Sequence, residues 1–180
     1  MPSSTFEFGG EIAWRPAREV IERSRLTGFM RPHDNRDFDT LLERSTTDLD
    51  WFWRAVFDDL GIEFYEPFTQ VVDLSKGPAW ARWCLGARLN IVHNCLDKWE
   101  GTATDARHAI RWEGEEGTHG ALTYAELRAA TNRCANALKS LGVGQGDRVA
   151  IFLPMGPELA AAFFAVVKIG AVVLPPDGDM

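Results

Sequence analysis

The strongest constraint on what this chain can fold into is the stretch from residue 149 to residue 174. Val149-Ala150-Ile151-Phe152-Leu153 is continuously apolar, as a strand covered on both faces must be. Pro154-Met155-Gly156-Pro157 turns the chain, and Glu158 to Ile169 is apolar almost all round, the mark of a helix surrounded by protein. Ala171 to Leu174 then reads as a second strand. Strand, helix and strand in that order predict one βαβ unit with parallel strands and a right-handed crossover. The expected fold class is α/β.

Immediately upstream, His108-Ala109-Ile110-Arg111-Trp112 and Ala121-Leu122-Thr123 flank the Gly-rich acidic turn Glu113 to Gly120, a hairpin pattern. Thr123 and Glu126 stand three apart, the spacing of a capping box, so a helix is expected to begin there. Leu127, Ala130, Cys134, Ala137, Leu138 and Leu141 would share its apolar face, with Gly142 ending it.

The first hundred residues are less regular. Pro16 suits a first helical position, and a helix is expected from there to about Met30. Asp37 can cap a second helix carrying Phe38, Leu41 and Leu42. Asp48 can cap a third in which Phe52, Val56 and Leu60 recur before Gly61. From Ile62 to Trp99 the chain is dense in aromatics, including Phe64, Tyr65, Phe68, Trp80 and Trp83, without a sustained period. It reads as an irregular segment wrapped over another surface and anchored by its rings. The polar stretch Trp99 to Asp105 marks a boundary, giving regions 1–104 and 105–180. No internal repeat is visible, which sets aside solenoids and propellers.

Charge and composition narrow the function classes. Nineteen Lys and Arg against 26 Asp and Glu give a formal net charge of −7, a field that repels nucleic acid and anionic lipid. Cys84, Cys95 and Cys134 are odd in number and lack C-x-x-C spacing, so free thiols in the cytoplasm are expected, without a disulfide framework or zinc site. The opening Met1 to Glu7 has no secretory pattern. The apolar run Leu159 to Leu174 is broken by Lys168 and Gly170, too soon for the roughly 20 residues of a membrane span.

Three constellations invite a chemical reading. Gly142-Val143-Gly144-Gln145-Gly146 resembles a dinucleotide fingerprint on the page, but its glycines follow a helix and open a strand, the reverse of the polarity that phosphate binding needs. A helix cap plus a turn is the better reading. The turn Leu153 to Pro157 has the right polarity, at a strand's carboxyl end and a helix N-terminus, yet offers one glycine and no Lys, Ser or Thr. Turn geometry is favoured there. His93, Cys95 and Cys84 lack the paired spacing of a closed metal site and have no orienting third group for nucleophilic catalysis. No catalytic and no metal residue is therefore assigned, and cofactor-binding residues are unknown.

Two segments carry a resemblance. Trp80-Ala81-Arg82-Trp83-Cys84-Leu85-Gly86-Ala87-Arg88-Leu89-Asn90-Ile91-Val92-His93-Asn94-Cys95-Leu96-Asp97-Lys98 is similar to an aromatic, Gly, Leu-Asn and Asn-Cys-Leu-Asp-basic pattern of the acetyl-CoA synthetase branch of the adenylate-forming (AMP-binding) superfamily. Leu122 to Leu127, Gly144 to Ile151, Leu153 to Glu158 and Lys168 to Ala171 resemble the opening of that superfamily's AMP-binding domain. The Thr46–Leu60 helix and the Phe68–Ser75 stretch look like the family's N-terminal cap, so the likeness runs from about Ile21 to Val173. Lys98-Trp99 departs from it, standing where a basic residue and His are usual.

The resemblance implies a helical and irregular cap over residues 1–104, followed by the first βαβ part of the AMP-binding domain in residues 105–180, incomplete. It implies an ATP-dependent acyl-CoA ligase that forms acyl-AMP and then acyl-CoA, using ATP, CoA and Mg2+. In the family the Gly-Phe turn, the Ser/Thr/Gly-rich phosphate loop with its Lys and the mobile C-terminal domain come after the Lys-Ile-Gly-Ala segment. This chain goes from Leu174 to Pro175-Pro176-Asp177-Gly178-Asp179-Met180, and no residue matches the family's ATP, acyl or catalytic-lysine positions. The expectation is an N-terminal piece, inactive alone, that binds none of these cofactors tightly. Its expected partners are the remainder of the ligase or further copies of itself through exposed apolar surface, with no nucleic acid and no membrane. The alternative is a non-catalytic module docking on another protein through its aromatic segment.

Overall fold

Capping side chains start three of the four N-terminal α-helices. A computed structural model describes residues 14–174, and the chain divides into two compact units, one up to Gly61 and one from Ile62. In the first unit, the single helix expected from Pro16 to Met30 is two: α1, Arg18–Arg23, and α2, Arg25–Met30. Ser24 between them is extended, and its Oγ accepts a hydrogen bond from the Thr27 amide at 3.1 Å. A serine side chain that satisfies a backbone N–H in this way starts a new helix in preference to continuing the old one. Asp37 caps α3, Phe38–Thr47, by accepting from the Thr40 amide at 2.8 Å, and Asp48 caps α4, Leu49–Asp59, by accepting from Trp51 at 3.1 Å. Phe29, Leu41 and Ala55 form the core of this unit, with Met30, Trp51, Phe52 and Val56 packed round them. Phe29 meets Phe52 edge to face, at 6.4 Å between ring centres, an arrangement that aromatic quadrupoles favour.

The second unit begins in the aromatic segment, which carries more regular structure than its sequence suggested. Strands β1, Gln70–Asp73, and β2, Arg82–Leu85, pair antiparallel with Val72 opposite Trp83. Helix α5 spans Ile91–Cys95, with short 3-10 turns at 78–80 and 97–99. Each strand is only four residues long, too short for alternation to register as a period. Val71 is its fully buried anchor.

The expected hairpin is present as β3, His108–Glu113, and β4, His119–Thr123. Gly120 lies opposite Trp112, and a Cβ there would come within 2.8 Å of the indole ring, so the tryptophan packs flat only over glycine. Helix α6, Tyr124–Ser140, opens with the full capping box: Thr123 Oγ1 accepts from the Glu126 amide at 3.2 Å, and Glu126 Oε2 accepts from the Thr123 amide at 2.8 Å. Its buried stripe is Leu127, Thr131 and Ala135, spaced i, i+4, i+8. The expected stripe is thus rotated: Ala137 is exposed, and Leu141, just past the helix, is 79% exposed. Reading by apolar residue type passed over Thr131, which is fully buried.

The βαβ unit completes the described chain. Strand β5, Arg148–Ala150, is joined by helix α7, Pro157–Lys168, to strand β6, Val172–Leu174, and the strands are parallel with Val149 opposite Val173. Successive side chains point to opposite faces; Val149 and Val173 are half-buried, whereas Arg148, Ala150, Val172 and Leu174 on the other face are exposed. The core of this unit is Val92 and Leu96 from the α5 region, Leu127 from α6 and Ala161 from α7. Three segments far apart in sequence therefore meet at α5.

Candidate functional site

The motif from Trp80 to Lys98 does its work around α5, where polar side chains tie this segment to the rest of the second unit. Asn90 precedes an apolar helix start and acts as its N-cap: Oδ1 accepts from the Val92 amide at 3.0 Å. The Nδ2 of the same residue donates to the carbonyls of Val167 at 3.0 Å and Lys168 at 3.2 Å, the last two of α7. Asp97 adds an ion pair to Lys168 Nζ at 2.6 Å. A cation near the carboxyl end of a helix also complements the helix dipole.

Asn94 works in the other direction. It is buried, accepts from the Glu63 amide at 2.8 Å and donates to the Glu63 carbonyl at 2.9 Å. The start of the aromatic segment is thereby fastened to α5 as a strand would be to its neighbour. His93 Nε2 lies 2.7 Å from Glu63 Oε2, and its ring is 5.6 Å from that of Tyr65. The Tyr65 amide donates to the Arg88 carbonyl at 2.7 Å.

A third tie holds the polar loop between Trp99 and Asp105. Arg128 on α6, its side chain 11% exposed, donates to both carboxylate oxygens of Asp105, at 2.5 and 3.2 Å, with Glu100 3.6 Å away. The hydrogen bond from Arg128 holds the Asp105 carboxyl below the usual range, and Asp105 in turn raises the guanidinium. Such bidentate pairing fixes geometry as well as charge.

The three constellations visible in the sequence take definite places in the structure. Gly142 to Gly146 is a helix end: Gly142 has φ +87°, its amide donates to Lys139 and the Val143 amide to Leu138, the bonding of a Schellman cap. The Gly144 amide then donates to Asp147 Oδ2 at 2.8 Å. His93 pairs with Glu63, and the three cysteines are free and half-buried. Burial raises the thiols of Cys84 and Cys95, the latter partly offset by Lys98. Among the described residues no group of three or more His, Cys, Asp or Glu is placed to hold a metal ion, and no helix is long and apolar enough to cross a membrane.

The turn at the carboxyl end of β5 is open, with Phe152 and Leu153 exposed and Met155 93% exposed. Gly156 begins α7 without a side-chain cap, Pro157 comes next, and Glu158 lies in the first turn. The Glu158 carboxylate lies over Gly156, where an added Cβ would meet Oε2 at 3.2 Å. At this turn a carboxylate therefore stands where a phosphate group would otherwise be favoured.

Comparison with known proteins agrees with the motif. A family model described as "Acetyl-coenzyme A synthetase N-terminus" matches residues 38–95, and one described as "AMP-binding enzyme" matches residues 97–180. The acetyl-coenzyme A synthetase of Mycolicibacterium smegmatis is 34% identical over 161 residues, 89% of this chain. The chain belongs to the acetyl-CoA synthetase-like adenylate-forming family, as its N-terminal region. The Thiobacillus denitrificans acetyl-coenzyme A synthetase is 35% identical over 157 residues, 87% of this chain. The chain spans 16% and 23% of the length of these two relatives. Among solved structures, the acetoacetyl-CoA synthetase from Streptomyces lividans matches with a TM-score of 0.79 and 29% identity over 91% of this chain and 26% of that one. The α/β class expected from the sequence is the class observed.

Asn90, Asn94, Asp97 and Arg128 were not singled out as joints by sequence reasoning. Only Asn90 left a signal, an Asn directly before an apolar helix start. The partners of the others are set by tertiary structure.

Proposed function

We propose that this chain is the N-terminal part of an ATP-dependent acyl-CoA ligase that joins a carboxylic acid to CoA by way of acyl-AMP. Residues up to 104 would form the cap region, and residues from 105 the start of the AMP-binding domain. The observation that supports this most is the 34% identity to an acetyl-coenzyme A synthetase across 89% of the chain, with the motif residues Asn90, Asn94 and Asp97 each bonded. In this reading ATP, CoA and Mg2+ are met by the rest of the ligase in the cytoplasm, and the chain alone is inactive. Its own contribution is architectural: the α5 joint, the boundary loop and the first two parallel strands.

A chimera tests the assignment. Residues 14–174 replace the matching segment of the Mycolicibacterium smegmatis enzyme, and acid- and CoA-dependent AMP formation is measured; a folded but inactive chimera would overturn the reading. The isolated chain is expected to release no pyrophosphate from ATP with acetate or propionate. Acid-dependent release above a no-protein blank contradicts its inactivity.

The second reading, a docking module for another protein, draws on the exposure of Tyr65, Trp80 and Trp83. Aromatic side chains are enriched at interfaces. Charged replacements at Trp80 and Trp83 that leave an active chimera unaffected would be compatible with it; loss of chimera activity would favour the ligase reading.

A further inference from the structure

We propose that Asn90 is a positioning residue that fixes, from the N-terminal motif, where α7 ends and β6 begins. Asn, Asp, Ser and Thr all serve as N-caps, because each has an oxygen to accept from the helix. Only Asn also carries an NH2 group. In this chain that group is in use: Oδ1 serves the start of α5, while Nδ2 reaches the last two carbonyls of α7, 77 and 78 residues further on. The last four carbonyls of a helix have no partner inside it, so one amide joins the beginning of one helix to the end of another.

The backbone from the end of α7 into β6 is tightly determined. Gly170 takes φ +78°, and a Cβ on it would sit 3.2 Å from Gln145 Cγ. The Ala171 amide donates to Val166, the Val172 amide to Asp147 at 2.7 Å, and the Gly146 amide to Gly170. Holding the end of α7 therefore holds the register of β6 against β5. Strand carboxyl ends are where α/β sheets present ligands, so on the ligase reading Asn90 aligns a strand that leads toward the site without touching substrate. That last step rests on the proposed function; the joint itself does not.

Asn90→Asp separates the two roles, since a carboxylate still caps α5 but offers α7 carbonyls repulsion where a donor stood. Asn90→Ser keeps a cap and removes the reach. Amide hydrogen exchange in the full chain is the readout. Both variants are expected to lose about tenfold protection at Gly170, Ala171 and Val172, the scale of one net hydrogen-bonding interaction, with the α6 amides unchanged and Val92 still protected. Below about pH 4 the introduced carboxyl regains a proton and with it an O–H donor. The Asn90→Asp loss, measured against the unaltered chain at the same pH, should then recover, while the Asn90→Ser loss stays. Unchanged protection at Gly170 to Val172 in both variants overturns the proposal. So does an equal loss throughout α6, which would mark a general loss of stability, and so does Asn90→Asp exchange that does not respond to acid. An inactive chimera alongside the expected exchange pattern would sink the ligase reading and leave the joint standing.

Discussion

Replacing Leu127 with Ala removes the side chain at the centre of the second unit's core. Leu127 is 2% exposed and packs in the cluster formed by Val92, Leu96 and Ala161. The change deletes three carbons' worth of apolar side chain, about 2.4 kcal/mol at about 0.8 kcal/mol per buried CH2. A residual cavity between helices adds to this, because α5, α6 and α7 are held apart by their other contacts, bringing the loss to about 3 kcal/mol. Equilibrium urea unfolding followed by far-ultraviolet circular dichroism measures it. With a slope of about 2 kcal/mol per molar, the midpoint falls by about 1.5 M. Leu141→Ala is the control: at 79% exposure it is expected to shift stability by no more than about 0.5 kcal/mol. Equal losses in the two variants, or a Leu127→Ala loss below about 1 kcal/mol, would refute the rotated helix face on which the core assignment depends.

Titration of the denatured, unreduced protein with a thiol reagent is expected to count three, one for each free cysteine; a count of one would reveal a disulfide. At neutral pH Cys84 and Cys95 should react more slowly in the native protein than in the denatured one, since burial raises both thiols. In acid, the Arg82 hydrogen bond lowers Asp73 to about 2, and Asp105 and Glu126 are also held down, by Arg128 and by the Thr123 backbone. Carboxyls lowered by folding stabilise the native state above their unfolded values, about pH 4, and lose that contribution as pH falls. Asp73→Asn should therefore flatten the acid limb of a stability profile between about pH 4 and about pH 2; an unaltered limb contradicts the pairing. The exposed Val172 and Leu174 on β6, and the exposed Phe152 and Met155 in the turn after β5, leave strand edges and apolar surface of the kind that invites pairing. Light scattering should show concentration-dependent self-association of the isolated chain, relieved by Met155→Asp; a monodisperse 20.1 kDa monomer would count against it.

Local signals in the sequence were sufficient wherever a residue acts on its own neighbours. Asp37, Asp48 and the Thr123–Glu126 box cap helices by bonding to amides three residues away, and such bonds depend only on spacing. The glycine run after α6 is a helix end for the same reason. The order of strand, helix and strand between residues 148 and 174 was legible because apolar runs of distinct length leave few alternatives. The break at Ser24 was not, since one serine decided between continuing a helix and restarting it.

The α5 joint lay beyond the sequence by itself. Its motif was visible as a pattern, but Asn90, Asn94 and Asp97 find their partners 77, 31 and 71 residues away, and no periodicity encodes which carbonyl a side-chain amide will meet. Thr131 is the same case within one helix: a polar residue left out of the expected apolar stripe is fully buried because α6 turns that face to its neighbours. The sequence by itself thus determined the elements and the family likeness, through short-range caps and apolar runs. Tertiary structure alone decided which polar groups join those elements, because a buried hydrogen bond depends on the placement of two distant segments that only the packed core brings together.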